Sequence, residues 1–342
     1  RVNDRESQGP FGARSMNDCT TRATPATASH KTCPFAFIRG AWKVTLESLC
    51  LHRPSMQAVQ DALIVAGGLG TRMFPVSAMQ AKETLPLVDV PLLTHLILEA
   101  KAAGATRIHI ILSPKKNLDG FLTDRSELAS YRPDLDSALF NPIEGLEVRT
   151  HYQMEPKGLG NAIETALDDV QGPFLVLLGD NVLLNHHAPS THYEPSHASL
   201  RLVEHFMQHN RPTVGLLEVP ESHVHHYGIV EMEGHRIVGM VEKPSLEEAP
   251  SRLALCGRYL FPSTTQALLK QFDYDTHGEM QSIALQQHWM NEGELDGVQY
   301  PDMQWYDSGT PLMWLQAQVD HALRRPEYED EMRAWLDQRL DR

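Results

Sequence analysis

Residues 62–75 read ALIVAGGLGTRMFP. An aliphatic run of strand length feeds directly into three glycines, Gly67, Gly68 and Gly70, and then into Thr71 and Arg72. A continuous apolar run bounded this way predicts a strand buried on both faces, as in a parallel sheet. Glycines at its end leave main-chain N–H groups open to close approach. Two phosphate loops are excluded. GxxxxGK[ST] fails because Gly70 is followed by Thr71 and Arg72, and GxGxxG, counted from Gly68, meets Met73 at its sixth position. What remains is a strand, a glycine loop and a guanidinium able to bind phosphate oxygens bidentately. Taken alone, the loop serves equally well as a tight strand–helix turn. Lys82, in AKETLP, adds a second cation that would help to offset the charge of a triphosphate.

Working outward, strand and helix patterns alternate. PLLTHLILEAKAAG (91–104) places Leu92, Leu93, Leu96, Ile97 and Ala100 on one helical face, with Pro91 near its start and Gly104 at its end. RIHIIL (107–112) reads as a strand, GLGNAIETALDDV (158–170) as a helix opening on glycines, and PFLVLLGDN (173–181) as a strand delivering Gly179, Asp180 and Asn181. TVGLLEV, YGIVEM and RIVGMVEKP read as further strands, the last running into Glu242, Lys243 and Pro244. This alternation predicts a mainly parallel sheet covered by helices. Ligands of such sheets bind at the carboxyl ends of the strands, where both the glycine loop and Asp180 fall.

The chain has 342 residues, 42% of them hydrophobic and 22% charged, enough for a substantial core. A formal net charge of −14 argues against nucleic-acid and anionic-membrane partners. No apolar run approaches the roughly 20 residues that span a bilayer. The expectation is a soluble, cytoplasmic protein holding an anionic small ligand in a locally cationic pocket. Cys19, Cys33, Cys50 and Cys256 have no zinc-site spacing, and they fit a reducing compartment.

Residues 1–57 differ from the rest, with eight Lys/Arg against four Asp/Glu, a net +4 that leaves −18 for the remainder. They read as a non-conforming N-terminal extension, either a basic targeting segment or, the preferred reading, upstream sequence from an imprecise gene model with Met56 as the natural start. The expected organisation is a globular domain over 58–325 and a C-terminal helix over 326–342, separated by Pro326. Leu312, Leu315, Val319 and Leu323 lie at helical spacing and are expected to pack on the body or on a second subunit. His205 and His209 stand one helical turn apart; with no carboxylate motif to complete a metal site, they read as a solvated helix face.

GLGTRMFPVSAMQAKETLPLVD resembles the signature of the sugar-1-phosphate nucleotidyltransferases, GxGTRxxPxTxxxPKxxLP. The resemblance continues in order through YQMEPKGLGNAI, LLGDN, YGIVEMEG, IVGMVEKPSLEEAPSRLALCGRY and WYDSGTP, from about Ala62 to Asp320. KETLPLVD and EKPSLEEAPSRLALCGRY look most like the bacterial UTP–glucose-1-phosphate uridylyltransferase branch, while AGG and GDN are equally at home among thymidylyltransferases. Three positions depart from the pattern. Ala81 replaces a proline, Val90 replaces the lysine of DKP, and GEMQSIAL lacks the expected LTDA.

The resemblance implies a Rossmann-like α/β fold with a mixed, mainly parallel sheet flanked by helices. It also implies a reaction in which the phosphate of glucose 1-phosphate attacks the α-phosphorus of UTP, or of dTTP, and pyrophosphate leaves. The nucleophile is already anionic, so positioning and charge neutralisation carry the catalysis. Ala66, Gly67, Gly68, Gly70 and Thr71 would line the nucleotide. Arg72 would hold the departing phosphates, and Lys82 would stabilise charge at the α-phosphate. Gln153 would read the base, with Gly158 and Gly160 leaving room beside it. Asp180 and Asp307 would hold Mg²⁺. Gly228, Glu242 and Lys243 would take the sugar phosphate. Adjacent strand residues face opposite ways, so Glu242 and Lys243 can both serve only if the strand stops there. The family also implies a homo-oligomer, and the competing class is a catalytically silent regulatory subunit that binds sugar nucleotides.

Overall fold

The structure is a computed structural model, and it describes residues 58–271 and 282–340. The extension over 1–57 and the GEMQ portion of GEMQSIAL lie outside those residues.

The apolar run of the opening stretch forms β1 (Asp61–Ala66), and Thr71–Met73 makes a 3₁₀ turn before the short α1 (Val76–Met79). Then come the two-residue strands β2 (Pro86–Leu87) and β3 (Val90–Pro91), helix α2 (Leu92–Ala102), β4 (Arg107–Leu112), β5 (Glu147–Tyr152) and α3 (Gly158–Glu164). Next are β6 (Phe174–Leu178), β7 (Asn181–Leu184), α4 (Ala198–His209), β8 (Thr213–Glu218), β9 (Gly228–Glu233), β10 (Arg236–Glu242) and β11 (Leu253–Phe261). The chain closes through α5 (Thr265–Leu269), α6 (Ser282–Asn291), β12 (Asp296–Gln299), β13 (Gln304–Asp307), α7 (Pro311–Arg324) and α8 (Glu329–Leu340).

One nine-stranded sheet has the order β5-β4-β1-β6-β11-β8-β12-β10-β9. β5, β4, β1 and β6 run parallel, and this half carries the glycine loop at its carboxyl edge. Beyond β6 the pairing turns antiparallel except between β12 and β8. The sheet is therefore mixed, with its parallel character gathered on the loop side.

Alternation along β1 sends Ala62, Ile64 and Ala66 into a core shared with α2 and α4, including Leu93, Leu96, Ile97, Leu202 and Phe206. Leu63 joins the opposite layer with Ile111, Ile163, Val176, Tyr259 and Trp289. Helices thus cover both faces, as a continuous apolar strand requires. At the start of β1, Asp61 is fully buried; it accepts from Arg107 twice at 2.7 Å and from the Gln171 N–H at 3.0 Å, and lies 3.0 Å from His109 Nε2.

Three helices differ from their sequence patterns: α3 ends at Glu164 rather than running to 170, and two others pack differently. α2 starts after Pro91, and Gly104 closes its end at φ 98°, but it is buried on nearly every side, Thr94, His95 and Glu99 included. It lies between the sheet and the β3/β7 region, and its polar positions have internal partners: His95 pairs with the Tyr193 hydroxyl at 2.8 Å and Glu99 with Arg258. α7 does not pack through the stripe beginning at Leu312. Leu312 and Leu315 are exposed, and the buried side is Ala317, His321 and Ala322. The small Ala317 permits close approach to the β2–β3 hairpin. There Gln318 accepts from the Val88 N–H at 2.7 Å and donates to the Pro86 carbonyl at 2.8 Å. The break before Pro326 comes at Arg325, which is extended at φ −87°, ψ 123°, the conformation a following proline favours.

Candidate active site

The loop is anchored at its root. Lys116 Nζ donates to the Ala66 carbonyl at 2.7 Å and to both carboxylate oxygens of the buried Glu83 at 2.8 and 2.9 Å. Gly70 takes φ 66°, a left-handed conformation that a side chain would strain, and Ser77 Oγ donates to its carbonyl at 2.7 Å. Gly179 is required by proximity, since a Cβ there would lie 2.8 Å from both the Val65 carbonyl and Glu83 Cγ. Its N–H donates to that same carbonyl at 2.9 Å, carrying the turn that follows β6 alongside the end of β1.

This turn brings Asp180 to Lys82, 98 positions away in sequence, as a direct ion pair. Asp307 arrives by a separate route. The short antiparallel ribbon of β7 and β13 sets Asp307 opposite Asn181, so the two aspartates reach one end of it from opposite strands. Asp307 Oδ1 accepts from the Gly309 N–H at 2.7 Å. Arg72 leans over that turn: a Cβ on Gly309 would lie 2.9 Å from Asp307 Oδ1 and 3.1 Å from Arg72 Nη2.

The charges act on one another. Burial and the neighbouring Asp180 raise the Asp307 carboxyl above the ordinary carboxylate range. Burial works the same way on Asp180, but the adjacent Lys82 outweighs it and the net shift is downward. Burial disfavours the charged form of Lys82, yet Asp180 and Glu83 reverse that and raise its pKa. The arrangement is two mutually repelling carboxylates with a lysine on one and a guanidinium beside the other.

On one flank of the loop, Gln153 follows β5 and donates to the Gly158 carbonyl and to Asn161 Oδ1, both at 3.0 Å. Its Oε1 lies so near Gly67 that a Cβ there would come within 2.9 Å of it. Gly158 opens α3 at φ 90°, and Gly160 is buried within the helix. On the other flank, the open ends of β9 and β10 pair Gly228 with Glu242. β10 stops there and Lys243 turns to φ 47°, which lets its Nζ approach Glu242 Oε1 at 3.5 Å. The two side-chain ends therefore lie together rather than on opposite faces of the strand. The hairpin reaches Asp307 through Tyr227, whose carbonyl accepts from the Lys243 N–H at 2.9 Å and whose hydroxyl donates to Asp307 Oδ2 at 3.4 Å.

Ala66, Gly67, Gly68, Gly70, Thr71, Arg72, Lys82, Asp180 and Asp307 thus share the carboxyl edge of the parallel strands, with Gln153 and Gly158 on one flank and Gly228, Glu242 and Lys243 on the other.

Sequence reasoning missed four contributors. Lys116 and Glu83 pair across 33 positions to brace the loop. Arg258, fully buried, meets Glu99 at 2.8 and 2.9 Å and donates to the Asn181 carbonyl at 2.8 Å, holding the residue that follows Asp180. The available signal for Arg258 was an arginine inside the apolar strand LALCGRYLF, a position that demands a buried partner. Tyr227 packs against Trp305 with ring centroids 4.5 Å apart, and its hydroxyl also touches the site.

A protein-family model described as nucleotidyl transferase matches residues 61–322. The chain belongs to the nucleotidyl transferase family. A relative in Mycoplasma pneumoniae, named a UTP–glucose-1-phosphate uridylyltransferase, is 31% identical over 283 residues, covering 79% of this transferase and 94% of the relative. One of the same name in Staphylococcus epidermidis is 28% identical over 297 residues, covering 83% and 99%. Among solved structures, a UDP-glucose pyrophosphorylase complexed with UDP-glucose superposes with TM-score 0.65 at 27% identity, covering 77% of this transferase and 98% of that chain. A UTP-bound enzyme from Acinetobacter baumannii gives 0.67 at 25%, covering 81% and 98%. These likenesses agree with the mixed α/β fold described above.

Proposed function

We propose that this nucleotidyl transferase moves the uridylyl group of UTP onto glucose 1-phosphate, giving UDP-glucose and pyrophosphate. The observation that carries the reading is the meeting of Arg72, Lys82, Asp180 and Asp307 at the mouth of the glycine loop. The names of the relatives supply the direction, and a UTP-bound and a UDP-glucose-bound neighbour share the fold.

In this reading the main chain of 66–71 lies along the nucleotide, and Gln153, held by Gly158 and Asn161, presents its free carbonyl edge to the base. Lys82 neutralises charge at the α-phosphate while the sugar phosphate attacks in line, and Arg72 takes the departing pyrophosphate. Lys243 holds the attacking phosphate, Glu242 accepts from sugar hydroxyls, and Gly228 admits the hexose beside the backbone. Asp180 and Asp307 fit a Mg²⁺ ion: two carboxylates that raise each other's cost of ionisation form an oxygen donor set suited to a hard cation. When bound, the ion would neutralise phosphate charge. Residues 58–325 constitute the transferase domain, followed by the C-terminal helix α8 (Glu329–Leu340), and the same reading includes homo-oligomeric assembly and a cytoplasmic setting.

The test is pyrophosphate release across a panel of nucleoside triphosphates with glucose 1-phosphate and Mg²⁺. UTP should give the highest kcat/KM. Preference for dTTP would make the enzyme a thymidylyltransferase, and no release with any nucleotide and hexose phosphate would leave a sugar-nucleotide-binding protein.

A further inference from the structure

The histidine pair 205/209 acquires in three dimensions the carboxylate that its sequence neighbourhood lacks. Asp296, at the start of β12, is fully buried beneath the C-terminal end of α4. Its Oδ2 lies 2.9 Å from His205 Nε2, and its Oδ1 has no hydrogen-bond partner among the described residues. One donor atom from each of His205, His209 and Asp296 falls within 4.8 Å of the others. A fourth imidazole closes the group from the β9–β10 turn: His235 Nε2 is 3.7 Å from the same carboxylate, and its ring is 4.8 Å from that of His209. The rings of His205 and His209 are 4.2 Å apart.

A buried carboxylate oxygen left without a donor is costly. The nearby cations do not relieve it, because Arg211 and Arg236 both direct Nη1 to the Gly293 carbonyl, at 3.0 and 2.6 Å. A tetrahedral ion with bonds of about 2.0–2.1 Å would separate its ligand atoms by roughly 3.3 Å, between the 2.9 and 3.7 Å at which His205 and His235 stand from Asp296, while the His205, His209 and Asp296 atoms lie within 4.8 Å of one another. Imidazole nitrogens with one carboxylate suit a borderline divalent ion, and a harder one such as Mg²⁺ prefers oxygen.

We propose that His205, His209 and Asp296, with His235 in the fourth position, bind a first-row divalent transition-metal ion of the Zn²⁺ type. The ion would take the place of the direct His205–Asp296 contact. It would fasten together α4, β12 and the β9–β10 turn where β10 meets β12 through a single residue pair, Arg236 with Asp296. That turn is the far end of the hairpin whose other end carries Gly228, Glu242 and Lys243, about 20 Å away along the strands. The site is thus a clamp on the sugar-side hairpin, remote from the reacting phosphates, and it does not depend on the identity of the substrates.

The experiment uses the full chain stripped with a chelator, then titrated with ZnCl2 and, separately, with CoCl2. Because other histidines also bind such ions weakly, the comparison is with His209→Ala and His235→Gln, both exposed positions outside the transfer site. The wild-type chain should bind one ion more per chain than either variant, with affinity at least about tenfold above their residual binding. It should also show a cobalt d–d absorption band and a zinc-dependent rise in Tm, both lost in the variants, whose metal-free Tm stays unchanged. Equal stoichiometry, equal Tm response and the same cobalt spectrum in all three chains would overturn the proposal.

Discussion

Lys82 is central to the site's charge balance, because among the described residues it makes the direct ion pair with Asp180. Lys82→Ala and Asp180→Asn should each lower kcat by more than about tenfold with an unchanged circular dichroism spectrum. Near-normal turnover in either would remove that residue from the mechanism. Gly67 tests the nucleotide side. Its Ala variant would push a methyl to 2.9 Å from Gln153 Oε1, displacing the amide without touching the charged groups. The expected result is a raised KM for UTP with kcat little changed; a loss confined to kcat would disconnect Gln153 from base binding. Arg72, Lys82, Asp180 and Asp307 were legible in the sequence because a linear motif surrounds each. Lys116 was not, since its meaning comes from Glu83 and the Ala66 carbonyl, groups 33 and 50 positions away.

At the scale of elements, β1, α2, β4, α3 and β6 were legible, because parallel strands buried on both faces leave long apolar runs; β5, a half-exposed edge strand, leaves none. In the antiparallel half β8, β9 and β10 were legible as strands, but β11, β12 and β13 were not, and the partners of all of them follow from packing. The burial of α2 could not be read either. Nothing local says that Glu99 will meet Arg258, 159 positions on, and so allow a helix with polar residues to be enclosed. That pair anchors the turn after Asp180, so Glu99→Gln should leave Arg258 charged and underpaired in the core. Stability measured by urea unfolding should fall by about 3–5 kcal/mol. A change under 1 kcal/mol would show that Arg258 finds another partner. The stripe that begins at Leu312 on α7 shows the opposite limit. Helical spacing identified an apolar face, but the face that docks was chosen by Ala317 and Gln318, where close approach and backbone hydrogen bonds were available.

At the scale of the whole molecule, stability should depend on acid through Asp61 at the base of the sheet. Burial alone would raise its carboxyl, but the hydrogen bonds from His109 and Arg107 overturn this and hold it at about 2, against an ordinary value of 3.8. A carboxylate depressed in the folded state stabilises above its unfolded pKa and loses that contribution as pH falls through the folded one. The contribution is on the order of 2 kcal/mol, present above pH ~4 and gone by pH ~2. The difference in urea midpoint between the wild-type chain and Asp61→Asn should therefore be largest near neutrality and shrink below pH 4; a pH-independent difference would refute the assignment. The β7–β13 ribbon sets a different limit. Its four residue pairs measure out the separation of Asp180 from Asp307 by counting, and a strand shifted by one position turns every side chain to the other face. Losing or gaining a single residue between Tyr300 and Gln304 would set Ser308 or Tyr306 opposite Asn181 and take the second carboxylate out of reach. Descendants of this chain can exchange residues in that segment far more freely than they can change its length.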